Sequence, residues 1–148
     1  MADKINIGTM ISGGGTNLQA IIDACAKNQI DATIAFTGSD NPDAKGLKRA
    51  RKAGIDTFVV DYASIISSCR QNGSDEVLPD DFNLDDIFAK QKLVGGSALS
   101  EKTAFFLKSR AVAEKQLLDI ILDYDIDLLV LAGFMRVMTP YFIDRMNT

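Results

Sequence analysis

Ile7-Gly8-Thr9-Met10-Ile11-Ser12-Gly13-Gly14-Gly15-Thr16-Asn17 decides the fold of this chain. Ile5, Ile7, Met10 and Ile11 make an apolar run, rich in β-branched residues, that reads as a buried strand. The run stops at the glycines, and Leu18, Ile21, Ile22 and Cys25 then recur at helical spacing. A strand that passes through glycines into a helix start leaves several backbone N–H groups aimed at one point. The helix dipole adds partial positive charge there, which suits a phosphate. Glycine is needed because the chain turns sharply, through ordinary or positive φ, and a Cβ would hold the anion away. Gly13, Gly14 and Gly15 are therefore candidate phosphate-binding residues through their backbone. Thr16 and Asn17 either add side-chain donors or cap the helix. The competing reading is a tight turn that needs only small residues.

Outward from this loop, strand and helix patterns alternate. The first strand covers about 5–12 and the first helix about 16–28, followed by a second strand at 32–37. Ser39-Asp40-Asn41-Pro42-Asp43 reads as a turn and helix start, with Pro42 near the first helical position. That helix runs through Leu47, Ala50 and Ala53 to Gly54, a suitable C′ residue. Its Lys45, Lys48, Arg49, Arg51 and Lys52 read as a solvated face, with a basic patch as the alternative. A third strand is expected at Thr57-Phe58-Val59-Val60. Such alternation means parallel strands joined by crossovers, so the fold class is α/β: a Rossmann-like, mostly parallel sheet with helices on both faces.

The alternation lapses between about 63 and 100. Asn72-Gly73-Ser74-Asp75-Glu76, Pro79-Asp80-Asp81 and Gly95-Gly96-Ser97 have loop composition, and Leu84, Ile87, Phe88 and Leu93 suggest one short helix. A connection of this length reads as a mobile insert within a single domain. A helix over 101–124 follows, with Ala113, Leu117, Ile120, Ile121 and Tyr124 facing inward. The apolar run 127–132 reads as a strand buried on both faces. Gly133-Phe134-Met135-Arg136-Val137-Met138 comes next, and Thr139-Pro140 caps a last short helix. Ligands in open α/β sheets sit beyond the C-terminal ends of the strands, so a site is expected between 13–17 and 133–138.

Composition narrows the classes. The 148 residues are 47% hydrophobic and 24% charged, with a net charge of −4, which suits a folded globular chain. Neither nucleic acid nor an anionic membrane surface is suggested as a partner. Cys25 and Cys69 have no metal-ligand spacing and do not make a disulfide framework, so no metal is expected and a reduced, cytoplasmic setting follows. The chain has no histidine, which removes imidazole chemistry from its own residues.

Three blocks carry a resemblance. These are Ser12-Gly13-Gly14-Gly15-Thr16-Asn17-Leu18-Gln19-Ala20-Ile21, Ser39-Asp40-Asn41-Pro42-Asp43-Ala44 and Leu131-Ala132-Gly133-Phe134-Met135-Arg136. In order and spacing they resemble the phosphoribosylglycinamide formyltransferases, which move a formyl group from 10-formyltetrahydrofolate to the amine of glycinamide ribonucleotide in purine synthesis. The resemblance implies that Gly13, Gly14, Gly15, Thr16 and Asn17 meet the substrate phosphate. It also implies that Met135, Arg136, Val137 and Met138 line the folate pterin pocket, with Arg110 on the folate side. For Arg136 a structural ion pair is the rival reading.

The family's catalytic Asn-x-His is expected on the strand after the last helix, whereas here Asn147 is followed only by Thr148. No catalytic residue is therefore expected in this chain. It reads as the N-terminal portion of the enzyme, inert alone and with the 127–132 strand exposed along an edge. The alternative is a non-catalytic phosphate- or nucleotide-binding Rossmann module, although the glycines do not follow G-x-G-x-x-G.

Overall fold

The computed structural model describes residues 3–96 and 98–147. Ser97, from the expected Gly95-Gly96-Ser97 loop, and Thr148 lie outside the described residues. Two compact units emerge. The first contains the residues up to Asp61 together with Ile121–Arg136, and the second contains Tyr62–Ile120 and the residues from Val137 on.

The first unit is the expected parallel sheet. Its strands are β1 (Ile5–Ile11), β2 (Ala32–Ser39), β3 (Asp56–Val59) and β4 (Leu128–Leu131), in the order β3-β2-β1-β4. Helix α1 (Thr16–Ala26) joins β1 to β2, and α2 (Gly46–Lys52) joins β2 to β3. Both neighbours of β1 are parallel to it, with Ile7 opposite Ile34 on one side and Leu128 on the other. The chain builds outward from β1 through β2 and β3, then returns to the far side of β1 for β4. In open α/β sheets such a reversal of strand order marks where a ligand crevice forms, here beyond the C-terminal ends of β1 and β4. The core on the α1–α2 face comprises Ile11, Leu18, Ala44, Leu47, Ala50 and Ala132, with Ile21, Ile22, Ile55 and Val59 against it.

Two expectations need correction here. Pro42 does not open α2: it lies in a turn, and the helix starts at Gly46. The Pro42-Asp43 turn is fixed instead by the Asn41 side chain, which accepts from the Asp43 N–H at 3.0 Å. The 127–132 run is not buried on both faces, since Leu128 and Leu131 point to opposite faces of β4 and both are exposed, and β4 pairs with β1 alone among the described strands. Leu128 is 52% exposed and Leu131 is 47% exposed. The expected exposed edge is thus present, and an apolar edge strand is a template for association. Leu131→Lys should lower self-association of the 148-residue chain in light scattering at high concentration. Equal association of wild type and variant would remove the edge as its cause.

The second unit is helical. It contains α3 (Tyr62–Asn72), α4 (Leu84–Lys90), all but the last residue of α5 (Glu101–Ile121), and α6 (Pro140–Met146). Helix α4 is the short helix expected around Leu84 and Ile87, and Asn83 caps it by accepting from the Asp86 N–H at 3.0 Å. Helix α3 is not foreseen by the sequence reading. It buries Tyr62, Ile66 and Cys69, an i, i+4, i+7 stripe diluted by serines. On α5 the buried stripe Leu107, Ala111, Glu114, Leu118 and Ile121 contains a carboxylate, which is 0% exposed. No helix among the described residues is long and apolar enough to cross a membrane.

Candidate functional site

The glycine loop leaves β1 at the crevice. Gly15 occupies the N-cap position of α1 in the left-handed region, at φ 77°, so neither Thr16 nor Asn17 caps the helix. Thr16 is the first helical residue, and the N-cap residue Gly15 makes no side-chain cap. The first turn also lacks an acidic residue. The helix therefore keeps its N-terminal N–H groups available and its dipole uncompensated, with Gly13, Gly14, Thr16 and Asn17 exposed around them.

Close approach explains the glycine at position 15 as much as its φ does. A Cβ there would lie 2.6 Å from the Gly46 Cα and 3.3 Å from the Arg49 Cδ. Gly46 faces the same constraint: a Cβ on it would lie 2.5 Å from the Ile11 Cδ1 and 2.9 Å from the Gly15 Cα. The loop and the start of α2 are thus packed backbone to backbone.

The loop after β4 is joined to the glycine loop through Asp40. One Asp40 oxygen accepts from the Ser12 hydroxyl at 2.6 Å, and the other accepts from the Arg136 Nε at 2.8 Å. The Ser12 hydroxyl in turn accepts from the Met135 N–H at 2.8 Å. Asp40 is only 5% exposed, so a carboxylate without these donors would be costly to bury. The carboxylate, the serine and the two residues after Phe134 make one bonded group spanning the crevice. The ion pair that is the rival reading of Arg136 is present, to Asp40. The pair is made through Nε, and the Arg136 side chain is 29% exposed.

The remaining expected residues divide between the units. Met135 belongs to the sheet unit and is 80% exposed. Val137, Met138 and Arg110 belong to the helical unit, where Val137 is 46% exposed. Arg110 lies on α5, its guanidinium 4.4 Å above the Phe106 ring and its Nη1 donating to the Ser109 hydroxyl at 3.1 Å. Also in the helical unit, Glu114 accepts from the backbone N–H of Thr139 at 2.8 Å and from its hydroxyl. Thr139 holds the N-cap position of α6, with Pro140 next, but makes no side-chain cap because its hydroxyl is committed to Glu114. Burial pushes the Glu114 carboxyl up to about 7, against the lowering effect of the Thr139 donors and of Arg110.

Sequence reasoning missed Asp40, Glu114 and Arg49 as parts of these arrangements. A groove of about 540 Å³ also opens in the sheet unit, lined by Lys4, Ile22, Cys25 and Ala32 among others. It lies at the N-terminal end of the strands, away from the glycine loop.

A parallel sheet whose strand order reverses at β1, with a glycine loop leading from β1 into α1, defines a Rossmann-like α/β protein. The sequence profile described as "Formyl transferase" matches residues 5–148, and the chain belongs to that family. It is 34% identical over 141 residues to the phosphoribosylglycinamide formyltransferase of Escherichia coli, covering 95% of this chain and 47% of that protein. Against the enzyme of the same name from Haemophilus influenzae it is 35% identical, covering 94% of this chain and 46% of that one. Among solved structures it is similar to glycinamide ribonucleotide transformylase 1 from Symbiobacterium toebii. That match has a TM-score of 0.61 and 31% identity, over 97% of this chain and 48% of that one. The chain spans about half the length of the curated relatives it matches.

Proposed function

We propose that this chain supplies the substrate-phosphate loop and part of the folate pocket of a phosphoribosylglycinamide formyltransferase. The reaction is transfer of a formyl group from 10-formyltetrahydrofolate to the amine of glycinamide ribonucleotide, in a reducing cytoplasmic setting. The observation that carries the reading is the bonded group Ser12–Asp40–Arg136–Met135, which sets the glycine loop beside the loop after β4 at the reversal point. Phosphate binding by Gly13, Gly14, Gly15, Thr16 and Asn17 is supported by a helix start with no competing cap or acidic residue.

Contact with the flat pterin is assigned to Met135, Arg136, Val137 and Met138, and the exposed thioether of Met135 supports it. Arg110 is assigned to the folate side, as the family resemblance implies. Amine attack on a formyl carbon forms a tetrahedral oxyanion and requires a proton to be moved. Those steps are assigned to the family's Asn-x-His, and binding and orientation to the residues of this chain.

The test is a titration followed by backbone amide NMR. Glycinamide ribonucleotide should shift the Gly13–Asn17 amides, while its dephosphorylated riboside should leave them in place. Asn17→Ala should weaken the nucleotide roughly tenfold, the order expected for one lost bond to a charged group, with the folate-side residues unaffected. Equal response to nucleotide and riboside would overturn the phosphate assignment.

A further inference from the structure

We infer that the segment from Asn41 to Arg49 is a clamp that pre-forms the phosphate loop, with Arg49 as its positioning residue. The inference rests on the phosphate-binding reading of 13–17 and concerns what gives that loop its shape.

Three consecutive peptide carbonyls of the loop are held from one direction. The Ser12 carbonyl accepts from the Asn41 Nδ2 at 3.4 Å, and the Gly13 carbonyl accepts from the Gly46 backbone N–H at 2.9 Å. The Gly14 carbonyl accepts from the Arg49 Nε at 2.8 Å. In a trans peptide the C=O and the next residue's N–H point in opposite directions. Holding these carbonyls toward the β2–α2 segment therefore aims the N–H groups of Gly13, Gly14 and Gly15 away from it. Successive N–H groups turned to one side form a concavity that binds anions.

Unrestrained, three glycines in a row would sample many conformations, and a ligand would have to order them as it bound. The clamp does that ordering beforehand. Arg49 is itself steadied, since its Nη1 lies 3.4 Å from the Gln19 Oε1 on α1. Gly46 can reach the Gly13 carbonyl only because it has no side chain to meet Ile11. Among the cationic residues of α2, Arg49 thus departs from the solvated face expected for them.

A second role is possible for any cation near an anion site, namely simple attraction, and salt separates the two. At molar salt the screening length falls to about 3 Å, which removes attraction between exposed charges but not the orientation of a peptide. The experiment compares the wild-type chain with Arg49→Met and Arg49→Lys, using ribose 5-phosphate as probe at low and molar salt. Arg49→Met should weaken the probe roughly tenfold at both salt levels and move the Gly14 and Gly15 amide signals before ligand is added. Arg49→Lys should recover part of the affinity, because its ammonium can also donate to the Gly14 carbonyl.

A loss confined to low salt, or unmoved Gly14 and Gly15 signals in folded Arg49→Met, would overturn the clamp. Should wild type bind no phosphate ester, the binding reading fails instead, and the ligand-free amide signals still decide whether Arg49 shapes the loop.

Discussion

Gly15→Ala is expected to abolish measurable phosphate-ester binding and to destabilise the sheet unit by roughly 2–4 kcal/mol, the range for overpacking joined to a strained backbone. Two separate costs act at this position. Alanine must be held at φ 77°, and its Cβ would meet the Gly46 Cα at 2.6 Å. Gly54 separates them, because it has the same φ of 77° but nothing within 4 Å of a Cβ. Gly54→Ala should therefore cost only the left-handed strain, about 1–2 kcal/mol. The excess in Gly15→Ala over Gly54→Ala measures how tightly the loop is pressed onto α2.

The contact partner of Gly15 is backbone, which cannot rotate away as a side-chain tip can. Relief requires α2 or the loop to shift, and either movement misdirects the carbonyls that set the three N–H groups. Urea titrations of both variants, with ribose 5-phosphate affinity measured below the transition, check the expectation. Equal destabilisation of the two, or retained affinity in Gly15→Ala, would mean that the close approach is relaxed in solution.

What the sequence made legible follows the range of the interactions. The β1–glycine–α1 signal is contiguous, and so is the apolar run of β4. The alternation between them implied parallel strands, and from parallel strands the crevice beyond their C-terminal ends followed. The sites that escaped depend on pairs far apart in the chain. Arg136 meets Asp40 across 96 positions, and nothing local in either segment distinguishes a bonded arginine from a ligand-facing one. Arg49 sits in a run of cations whose composition describes a solvated helix. Periodicity could not show that this one would meet a carbonyl 35 residues earlier.

Helix α3 was hidden by its serines, which dilute an apolar stripe of correct spacing, and by the loop residues that follow it. The turn at Pro42 went the other way. A proline beside a helix usually opens it, but here the Asn41 side chain closes a turn first and the helix waits for Gly46.

Glu114 is the case in which a signal was present and unread, since it occupies the centre of a helical stripe whose other members are Leu107, Ala111, Leu118 and Ile121. Its expected consequence is a stability that falls as pH rises. In the unfolded chain the carboxyl titrates near its ordinary value of 4.5, whereas in the folded helical unit burial raises it to about 7. Between those values the folded state binds more protons than the unfolded state, so stability declines with rising pH across this window and levels off above it. The full decline is about 3 kcal/mol for a shift of this size.

Glu114→Gln should remove the dependence. A glutamine can accept from the Thr139 N–H with its oxygen and donate to the Thr139 hydroxyl with its nitrogen, as the protonated acid does. The variant should match wild type at pH 4 and exceed it at pH 8, read as urea midpoints by circular dichroism at both pH values. Glu114→Ala, by contrast, should be weaker at both, because it leaves the buried Thr139 N–H without an acceptor. A glutamine variant less stable than wild type at pH 8 would show that the carboxylate is held ionised and that burial does not dominate. Thr139 follows Met138 directly in the chain. The same titration therefore acts on the anchor at the end of the segment assigned to the pterin, where a buried charge is a cost unless its donors stay in place.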